Sequence, residues 1–265
     1  MRDRYAVVGH PVAHSKSPQI HAEFARATGQ ELEYGRIEAP LDGFERTVEE
    51  FRSQGGKGLN VTVPFKEAAF RYCRSLSPRA RAARVVNTLV LTGAEVFGDT
   101  TDGVGLVADL TRNLGFELFQ KNLLLMGAGG AAQGVVQALL DAGVARLLIA
   151  NRTVSRARLL AARYGVAACG YEELGGQTFD IVVNATSAGL ANEAPKIPGS
   201  AFKAGALAYD MVYGRDTPFL AQARAAGARA ADGLGMLVEQ AAESFLVWRG
   251  VRPDTGAILA RLRGG

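Results

Sequence analysis

The stretch GLNVTVPFKE, residues 58–67, carries polar side chains where a buried strand normally carries apolar ones. Asn60 and Thr62 are two residues apart, so in a strand they share one face. Buried polar groups destabilise a protein unless they are hydrogen-bonded, which indicates a partner: either the backbone or a polyhydroxylated ligand. Pro64 then ends the strand, because proline has no N–H to donate to the ladder. Lys66 follows at once, beyond the C-terminal end of the strand, where ligands bind in open α/β sheets, although most lysines are simply solvated.

Two serines flank the start of a predicted helix near the N-terminus. In GHPVAHSKSPQIH, Ser15 and Ser17 are two residues apart, and Pro18 with the apolar spacing after it predicts a helix over 17–28. Two hydroxyls beside the free N–H groups of a helix N-terminus suit a carboxylate. The simpler interpretation is that Ser17 only caps the helix, and the spacing leaves both interpretations open.

Further polar residues interrupt apolar sequence in the first hundred residues or follow directly after it. Asn87 lies in RVVNTLV, which reads as a strand, and Asp102 lies in GDTTDGVGL, where the first part of the chain meets the second. His10, His14 and His21 crowd into one short stretch. The intervening prolines keep these histidines off a common helical face, so we predict no metal site.

Strands and helices alternate along most of the chain, which is typical of an α/β protein. An apolar strand at 122–126 runs through a glycine turn into a helix at about 130–142 and a strand at 146–150, which together make one βαβ unit.

A change of character near residue 100 predicts two domains. One consists of residues 1–101 with 236–265, and the other, built on the glycine turn, consists of residues 102–235.

The glycine turn has a pattern that can bind a dinucleotide. It reads Gly127-Ala128-Gly129-Gly130-Ala131-Ala132, or G-x-G-x-x-A. The first glycine permits the tight turn, the second lets the backbone approach a pyrophosphate, and the last small residue lets the helix pack on the strand. The helix N-terminus then offers free N–H groups to the phosphates. The motif is weak alone, but it stands between a predicted strand and a predicted helix, as it must.

The end of the next strand discriminates between two cofactors. NAD sites usually place an acidic residue there, on the ribose 2′-hydroxyl. This chain has Asn151, Arg152, Thr153 and, slightly later, Arg156. A 2′-phosphate is repelled by an acid and clamped by a guanidinium, so we predict NADP as the cofactor. The alternative is a solvated basic loop.

Composition excludes several classes of protein. The 265 residues are 48% hydrophobic, and 30 basic residues oppose 26 acidic ones for a net charge of +4. No dense basic run interleaved with aromatic residues suggests nucleic acid as a partner. No window approaches the ~20 apolar residues of a membrane span. Cys73 and Cys169, without CxxC spacing, are typical of a reducing cytosol, so we expect a cytoplasmic protein.

Several motifs together carry a resemblance. GHPVAHSKSP, NVTVPFKE, VVNTL, GDTTDGVG, GAGGAA, NRTVSRA, NATSAG, DMVY and GMLVEQAAESF occur in this order. With them the chain resembles the shikimate dehydrogenase family over nearly its whole length. The resemblance implies an α/β substrate-binding domain, a Rossmann NADP-binding domain and an active site in the cleft between them. It implies NADPH-dependent, reversible reduction of 3-dehydroshikimate to shikimate, a step of aromatic amino-acid (chorismate) biosynthesis.

The resemblance also implies roles for individual residues. It assigns catalysis to Lys66 with Asp102 as its partner. It implies substrate contacts from polar residues of several segments: Ser15 and Ser17 for the carboxylate, Thr62, Asn87 and Asp102 for ring hydroxyls, and also Asn60, Tyr213 and Gln240. It implies cofactor contacts from the glycine turn and from the loops after later strands: Gly127, Ala128, Gly129, Gly130, Ala131, Asn151, Arg152, Thr153, Arg156, Met211 and Gly233.

The chemistry expected of Lys66 is proton transfer. As an ammonium it can protonate the alkoxide that forms at C3 during reduction and stabilise the developing negative charge. Whether Lys66 acts alone or as a coupled pair with Asp102 stays open. The alternatives are a quinate/shikimate dehydrogenase that uses NAD, another two-domain enzyme such as a methylene-folate dehydrogenase, and a non-catalytic sensor of NADP or shikimate. Monomer and homodimer are both compatible with the sequence.

Overall fold

The structure, a computed structural model, describes residues 2–188, 193, 195 and 197–264. The chain divides into two compact units: unit 1 is Met1–Gly105 with Leu237–Gly265, and unit 2 is Leu106–Met236. The sequence placed the boundaries after residues 101 and 235. Gly189, the last residue of the NATSAG motif, lies outside the described residues.

Unit 1 is built on a mixed sheet. Its strands are β1 (Asp3–Gly9), β2 (Leu32–Glu38), β3 (Gly56–Val61), β4 (Ser75–Leu76), β5 (Thr88–Val90) and β6 (Phe97–Asp99). The helices that lie in it or enter it are α1 (Ser17–Thr28), α2 (Phe44–Ser53), α3 (Lys66–Tyr72), α4 (Pro78–Ala83), α5 (Asp102–Ala108), α10 (Leu234–Arg249) and α11 (Gly256–Gly264). Within the described residues the strand order is β2-β1-β3-β5-β6-β4.

Strand β3 has one parallel and one antiparallel neighbour. It is parallel to β1 and antiparallel to β5, which in turn is antiparallel to β6. The reason is that β5 and β6 are joined by a short turn, and a short connection permits only antiparallel pairing. The site of unit 1 therefore lies where a parallel half of the sheet meets a hairpin.

Unit 2 is a parallel α/β unit. Its strands are β7 (Asn122–Met126), β8 (Arg146–Ala150), β9 (Ala167–Cys169), β10 (Phe179–Asn184), β11 (Phe202–Asp210) and β12 (Arg229–Asp232). Its helices are α6 (Gly130–Gln133), α7 (Val136–Asp141), α8 (Val154–Ala162) and α9 (Pro218–Ala225), with a π-helical turn at Asp109–Asn113 after α5 and 3₁₀ turns at Tyr171–Leu174 and Gly199–Ala201.

The strand order of unit 2 is that of a dinucleotide-binding fold. The sheet runs β12-β11-β10-β7-β8-β9, and every described pair is parallel. The order reverses between β7 and β10, and ligands of such sheets bind beyond the carboxyl ends of the strands at that point. The strands predicted at 122–126 and 146–150 have these bounds. The helix predicted over 130–142 is instead divided into α6 and α7 at Gly134, because glycine is a poor helix former.

Each unit has its own apolar core. The core of unit 1 includes Val48, Phe51, Leu59 and Leu89. The core of unit 2 includes Leu123, Leu125, Ile149 and Val183. Among the described helices none is both long and apolar enough to cross a membrane.

Candidate active site

The centre of the site in unit 1 is an ion pair between the first residues of two helices. Lys66 begins α3 and Asp102 begins α5. The Lys66 Nζ lies 2.5 Å from Asp102 Oδ2, and the two side chains are only 12% and 5% exposed. Lys66 is therefore not an ordinary solvated lysine, because its ammonium is held by a carboxylate in a mostly buried position.

Asn87 joins this ion pair to α10. Its Nδ2 lies 3.0 Å from Asp102 Oδ1, 2.9 Å from Thr101 Oγ1 and 3.1 Å from Gln240 Oε1. Its Oδ1 accepts the Thr101 N–H at 2.9 Å. Both oxygens of the Asp102 carboxylate are thus engaged, one by Lys66 and one by Asn87, which fixes the carboxylate's orientation.

Asn60 and Thr62 share a strand face but differ in their partners. The Tyr34 hydroxyl donates to Asn60 Oδ1 at 2.7 Å, and Asn60 Nδ2 donates to Ser244 Oγ at 2.9 Å and to the Asn87 carbonyl at 3.1 Å. The sequence left the backbone or a ligand as the partner of Asn60. In the structure Asn60 bonds to the protein itself, through a backbone carbonyl and through side chains. The Thr62 hydroxyl forms no hydrogen bond with any residue that the structure describes, so it remains available to a ligand.

The paired serines are buried and bonded to each other. Ser15 Oγ donates to Ser17 Oγ at 3.1 Å and accepts the Ser17 N–H at 3.3 Å. The N-cap of α1 is Lys16, and Ser17 is the first helical residue. The interpretation of Ser17 as the capping residue is therefore wrong, because its hydroxyl points to Ser15 and not to the helix N–H groups. The two hydroxyls form a small polar patch with donors for a carboxylate.

In unit 2 the glycine turn leaves open space at the start of α6. Gly127 has φ +108°, and a Cβ there would lie 3.1 Å from the Ala185 carbonyl oxygen. Its N–H donates to the Ala150 carbonyl at 2.8 Å, which holds the turn on the end of β8. At Gly129, by contrast, no heavy atom lies within 4 Å of a Cβ position. The backbone after β7 is therefore accessible to a pyrophosphate, with Ala128, Gly130 and Ala131 partly exposed beside it.

The loop after β8 is positively charged and lacks an acid. Arg152 and Arg156 are exposed, and no carboxylate of the described residues lies within 4.0 Å of either guanidinium. Asn151 Nδ2 donates to the Thr153 carbonyl at 2.9 Å, which shapes the loop. Burial raises the pKa of Tyr171 to about 12, and the positive charge of the nearby Arg152 acts in the opposite direction. This donor set fits the 2′-phosphate of NADP.

The loops after β11 and β12 meet within unit 2. A Cβ on Gly233 would lie 2.4 Å from the Met211 carbonyl oxygen, so only glycine fits there. The Gly233 N–H donates to the Val212 carbonyl at 3.2 Å. The carboxylate of Asp210 accepts the Val212 N–H at 3.0 Å. Met211 and Gly233, both predicted cofactor contacts, are thereby adjacent, and Tyr213 follows them in the same loop.

Comparison with known proteins agrees with this geometry. Sequence models of the shikimate dehydrogenase substrate binding domain, of shikimate / quinate 5-dehydrogenase and of the shikimate 5′-dehydrogenase C-terminal domain match residues 7–89, 109–192 and 233–263. The chain is 57% identical to a "Shikimate dehydrogenase (NADP(+))" of Methylobacillus flagellatus, over 98% of this chain and 99% of the relative. The chain belongs to the shikimate dehydrogenase family.

Solved structures of other proteins have the same fold. The crystal structure of an Ael1 enzyme from Pseudomonas putida is 49% identical, covers 98% of both chains and has a TM-score of 0.91. Shikimate 5-dehydrogenase from Thermus thermophilus, crystallised with NADP(H) and shikimate, is 36% identical, covers 99% of both chains and has a TM-score of 0.89. The predicted family, α/β fold, enzyme class, function and NADP dependence are thereby confirmed at the level of the shikimate dehydrogenase family.

Sequence reasoning missed several residues that hold the site of this shikimate dehydrogenase family member. Thr101 and Ser244 each had a signal: Thr101 is adjacent to Asp102, and Ser244 lies four residues after Gln240 on one face of α10. Ser244 Oγ in fact donates to the Gln240 carbonyl at 3.0 Å. Tyr34 had no such signal, because an aromatic residue in a strand usually belongs to the core. In the described residues no group of three or more His, Cys, Asp or Glu is placed to hold a metal ion.

Proposed function

We propose that this chain catalyses the reversible, NADPH-dependent reduction of 3-dehydroshikimate to shikimate, with Lys66 and Asp102 handling the proton. Unit 1 would bind the substrate and unit 2 the cofactor. The observation that carries the proposal is the ion pair of Lys66 Nζ with Asp102 Oδ2 at 2.5 Å, in largely buried side chains. An ammonium held in this way can deliver a proton to a developing alkoxide.

The side chains of unit 1 supply the contacts that this substrate needs. Shikimate has one carboxylate and three hydroxyls on a ring. The buried serine pair offers hydroxyl groups to the carboxylate, although in the structure the Ser15 hydroxyl donates to Ser17 Oγ. The remaining polar groups are assigned to the ring hydroxyls and their surroundings: Thr62, Asn87, Asp102 and Gln240 in unit 1 and Tyr213 in unit 2. Asn60 is assigned an indirect role. Its hydrogen bonds to Tyr34 and Ser244 support placing it behind the residues that contact the ring.

In the reductive direction NADPH, when bound, supplies a hydride to the C3 carbonyl of the substrate. The ammonium of Lys66 donates a proton to the new alkoxide oxygen, and in the oxidative direction the neutral amine takes a proton from the C3 hydroxyl. Asp102 orients the amine through its Oδ2, while Asn87 keeps the carboxylate from rotating. The pyrophosphate of the cofactor is assigned to the glycine turn, and its 2′-phosphate to the side chains of Arg152 and Arg156.

The direct test is a spectrophotometric assay of NADP⁺ reduction with shikimate. Turnover with shikimate and NADP⁺ supports the proposal, and absence of turnover in folded protein contradicts it. Quinate is the competing substrate, because one matching family model covers both shikimate and quinate dehydrogenases. Equal or faster turnover of quinate, or a preference for NAD⁺ over NADP⁺, would replace the proposed assignment with that alternative.

The role of Lys66 is tested by Lys66→Ala. Positioned acid catalysis is worth ~10²–10⁴ in rate, so we expect kcat to fall by about that factor while both KM values change much less. The matched control is Lys203→Ala, because Lys203 Nζ also pairs with an aspartate, Asp180 Oδ1, at 2.8 Å but on the surface of unit 2. Wild-type turnover in Lys66→Ala would remove this lysine from the chemistry.

A further inference from the structure

Arg36, on strand β2, holds the main chain that carries the serine pair. Its Nε and Nη2 both donate to the Ser15 carbonyl oxygen, at 2.9 Å and 2.5 Å. The hydroxyl of the same residue, Ser15, bonds Ser17 Oγ. One guanidinium thus binds the main chain of a residue whose hydroxyl is assigned to the substrate carboxylate.

Arg36 differs from several other arginines of unit 1 in the partner of its guanidinium. Several other arginines of unit 1 are paired with carboxylates, such as Arg79 with Asp99 and Arg249 with Asp3. No carboxylate among the described residues lies within 4.0 Å of the Arg36 guanidinium. Glu38, two residues further along the same strand face, lies 3.7 Å from His10 Nδ1 instead.

The hydrogen-bond partner of Arg36, the Ser15 carbonyl oxygen, leaves the charge of the guanidinium uncompensated. A carbonyl oxygen satisfies two donors of the guanidinium but brings no negative charge, and the fork of five N–H donors leaves others unused. The guanidinium therefore keeps its positive charge next to the Ser15 main chain, to which two hydrogen bonds fix it.

We propose that Arg36 is a positioning and specificity residue for the carboxylate of the substrate. It fixes the Ser15 main chain by paired hydrogen bonds, and its uncompensated charge favours an anionic group over a neutral one at the serine pair. The inference rests on the proposed function, since it names what selects the carboxylate end of that substrate.

The two roles of Arg36 predict a difference between substrates. Loss of the charge weakens binding of a carboxylate, whereas loss of the backbone bonds disturbs the serines for any ligand. An exposed guanidinium acts through partly screened electrostatics, so we expect a moderate effect, about tenfold on kcat/KM for shikimate. This loss should come mainly from the KM for shikimate and leave the KM for NADP⁺ unchanged.

The experiment compares Arg36→Gln with wild type on shikimate and on its methyl ester, which has the same ring but no charge. We expect the ratio of kcat/KM for shikimate to that for the ester to fall about fivefold in Arg36→Gln, because screened electrostatics favour the anion only moderately. Arg36→Lys keeps the charge but not the paired donors, so it should restore most of the ratio. Calorimetric titration of each variant with shikimate gives a readout that does not depend on turnover.

The matched control is Arg4→Gln, because Arg4 Nη1 also donates to a backbone carbonyl, that of Gln54, at 3.0 Å in the same unit. It should leave kcat/KM for both substrates unchanged.

Two results would overturn the proposal. An equal loss of kcat/KM on shikimate and ester would mean that Arg36 only supports the fold, and no loss on either would remove it from the site. If Arg36→Gln does not fold, Arg36→Lys and the salt dependence of shikimate binding in wild type decide the question. Failure of the proposed function appears separately, as wild-type protein that does not oxidise shikimate.

Discussion

The two units build their sites in opposite ways. In unit 1 polar side chains from distant segments bond to one another, as in the chain from Lys66 through Asp102 and Asn87 to Gln240. In unit 2 the site consists of backbone at a glycine turn and of arginines without a carboxylate partner among the described residues.

The difference follows from what each site is proposed to recognise. A small ring with stereochemically distinct hydroxyls needs side chains at fixed positions, and hydrogen bonds between those side chains fix them before the substrate arrives. Phosphates are recognised by charge and by accessible N–H groups, which a turn and a flexible arginine provide without a network. Loss of one residue should therefore damage unit 1 through its neighbours and unit 2 only locally.

The largest effect expected from this comparison is that of Asp102→Asn. The change keeps the shape but leaves the Lys66 ammonium without its counter-charge and offers Asn87 a poorer partner. Since residues of one network act as a unit, we expect kcat to fall by about 10²–10⁴, as for Lys66→Ala, and the double variant to be no worse than either single variant. Steady-state kinetics of the three variants measures this.

The control for this change is Asp180→Asn, which removes the surface partner of Lys203 at 2.8 Å and also a bond to the Asn122 N–H. It should leave kcat unchanged. Multiplicative losses in the double variant would show that Lys66 and Asp102 act independently, against the coupled network.

The glycine turn of unit 2 is tested by Gly127→Ala. At φ +108° an L residue is strained, and its Cβ would meet the Ala185 carbonyl, so we expect a loss of stability of about 1–3 kcal/mol and a higher KM for NADPH. The control is Gly29→Ala, where φ is +63° and nothing lies within 4 Å. That change should cost some stability without affecting NADPH. An unaltered KM for NADPH in Gly127→Ala would separate the turn from the cofactor.

The same contrast explains what could be predicted from the sequence. The turn at Gly127 is a local feature, in which steric demands and pattern coincide within a few residues, so strand bounds and cofactor class followed from the motif. The bond between Asn60 and Ser244 joins residues 184 positions apart, and a strand pattern cannot say which helix will cover a given face. Sequence could mark Asn60 as requiring a partner but could not name it.

In unit 1 motif matching identified more site residues than periodicity did. It predicted their roles but not which residues contact one another. It selected Ser15 and Ser17, yet it could not tell that the two hydroxyls bond to each other or that Arg36 binds the Ser15 carbonyl. Such details depend on how an edge strand packs beside a helix, which is settled by tertiary structure.

A smaller, local effect is expected from Arg152→Ala. Removal of one exposed guanidinium should raise the KM for NADPH about tenfold and leave any use of NADH unchanged, because only NADPH carries the 2′-phosphate. The control is Arg158→Ala, an exposed arginine in helix α8, which follows this loop, and not one of the predicted contacts. If NADPH and NADH respond equally, Arg152 does not recognise the 2′-phosphate.

The smallest effect concerns a residue that supports the network of unit 1 without joining the chemistry. His21 is fully buried, and its ring stacks on Tyr34 with 4.1 Å between centroids and 5° between planes. Burial is the main cause that lowers the pKa of His21 to about 3. The unfolded chain, with a histidine pKa of about 6.5, therefore takes up a proton that the folded chain refuses, so stability is lost as pH falls from about 6.5 towards 3.

Between pH 7 and pH 6 this loss amounts to less than about 1 kcal/mol, since only the upper part of the unfolded-state titration is covered. His21→Phe keeps an aromatic ring against Tyr34 but cannot titrate, so its free energy of unfolding should change less with pH than that of wild type. Urea unfolding at the two pH values measures the difference, and His14→Phe, at an exposed position, is the control that should follow wild type. Parallel pH profiles for wild type and His21→Phe would show that His21 takes up protons in the folded protein as it does in the unfolded chain, which would contradict the lowered pKa.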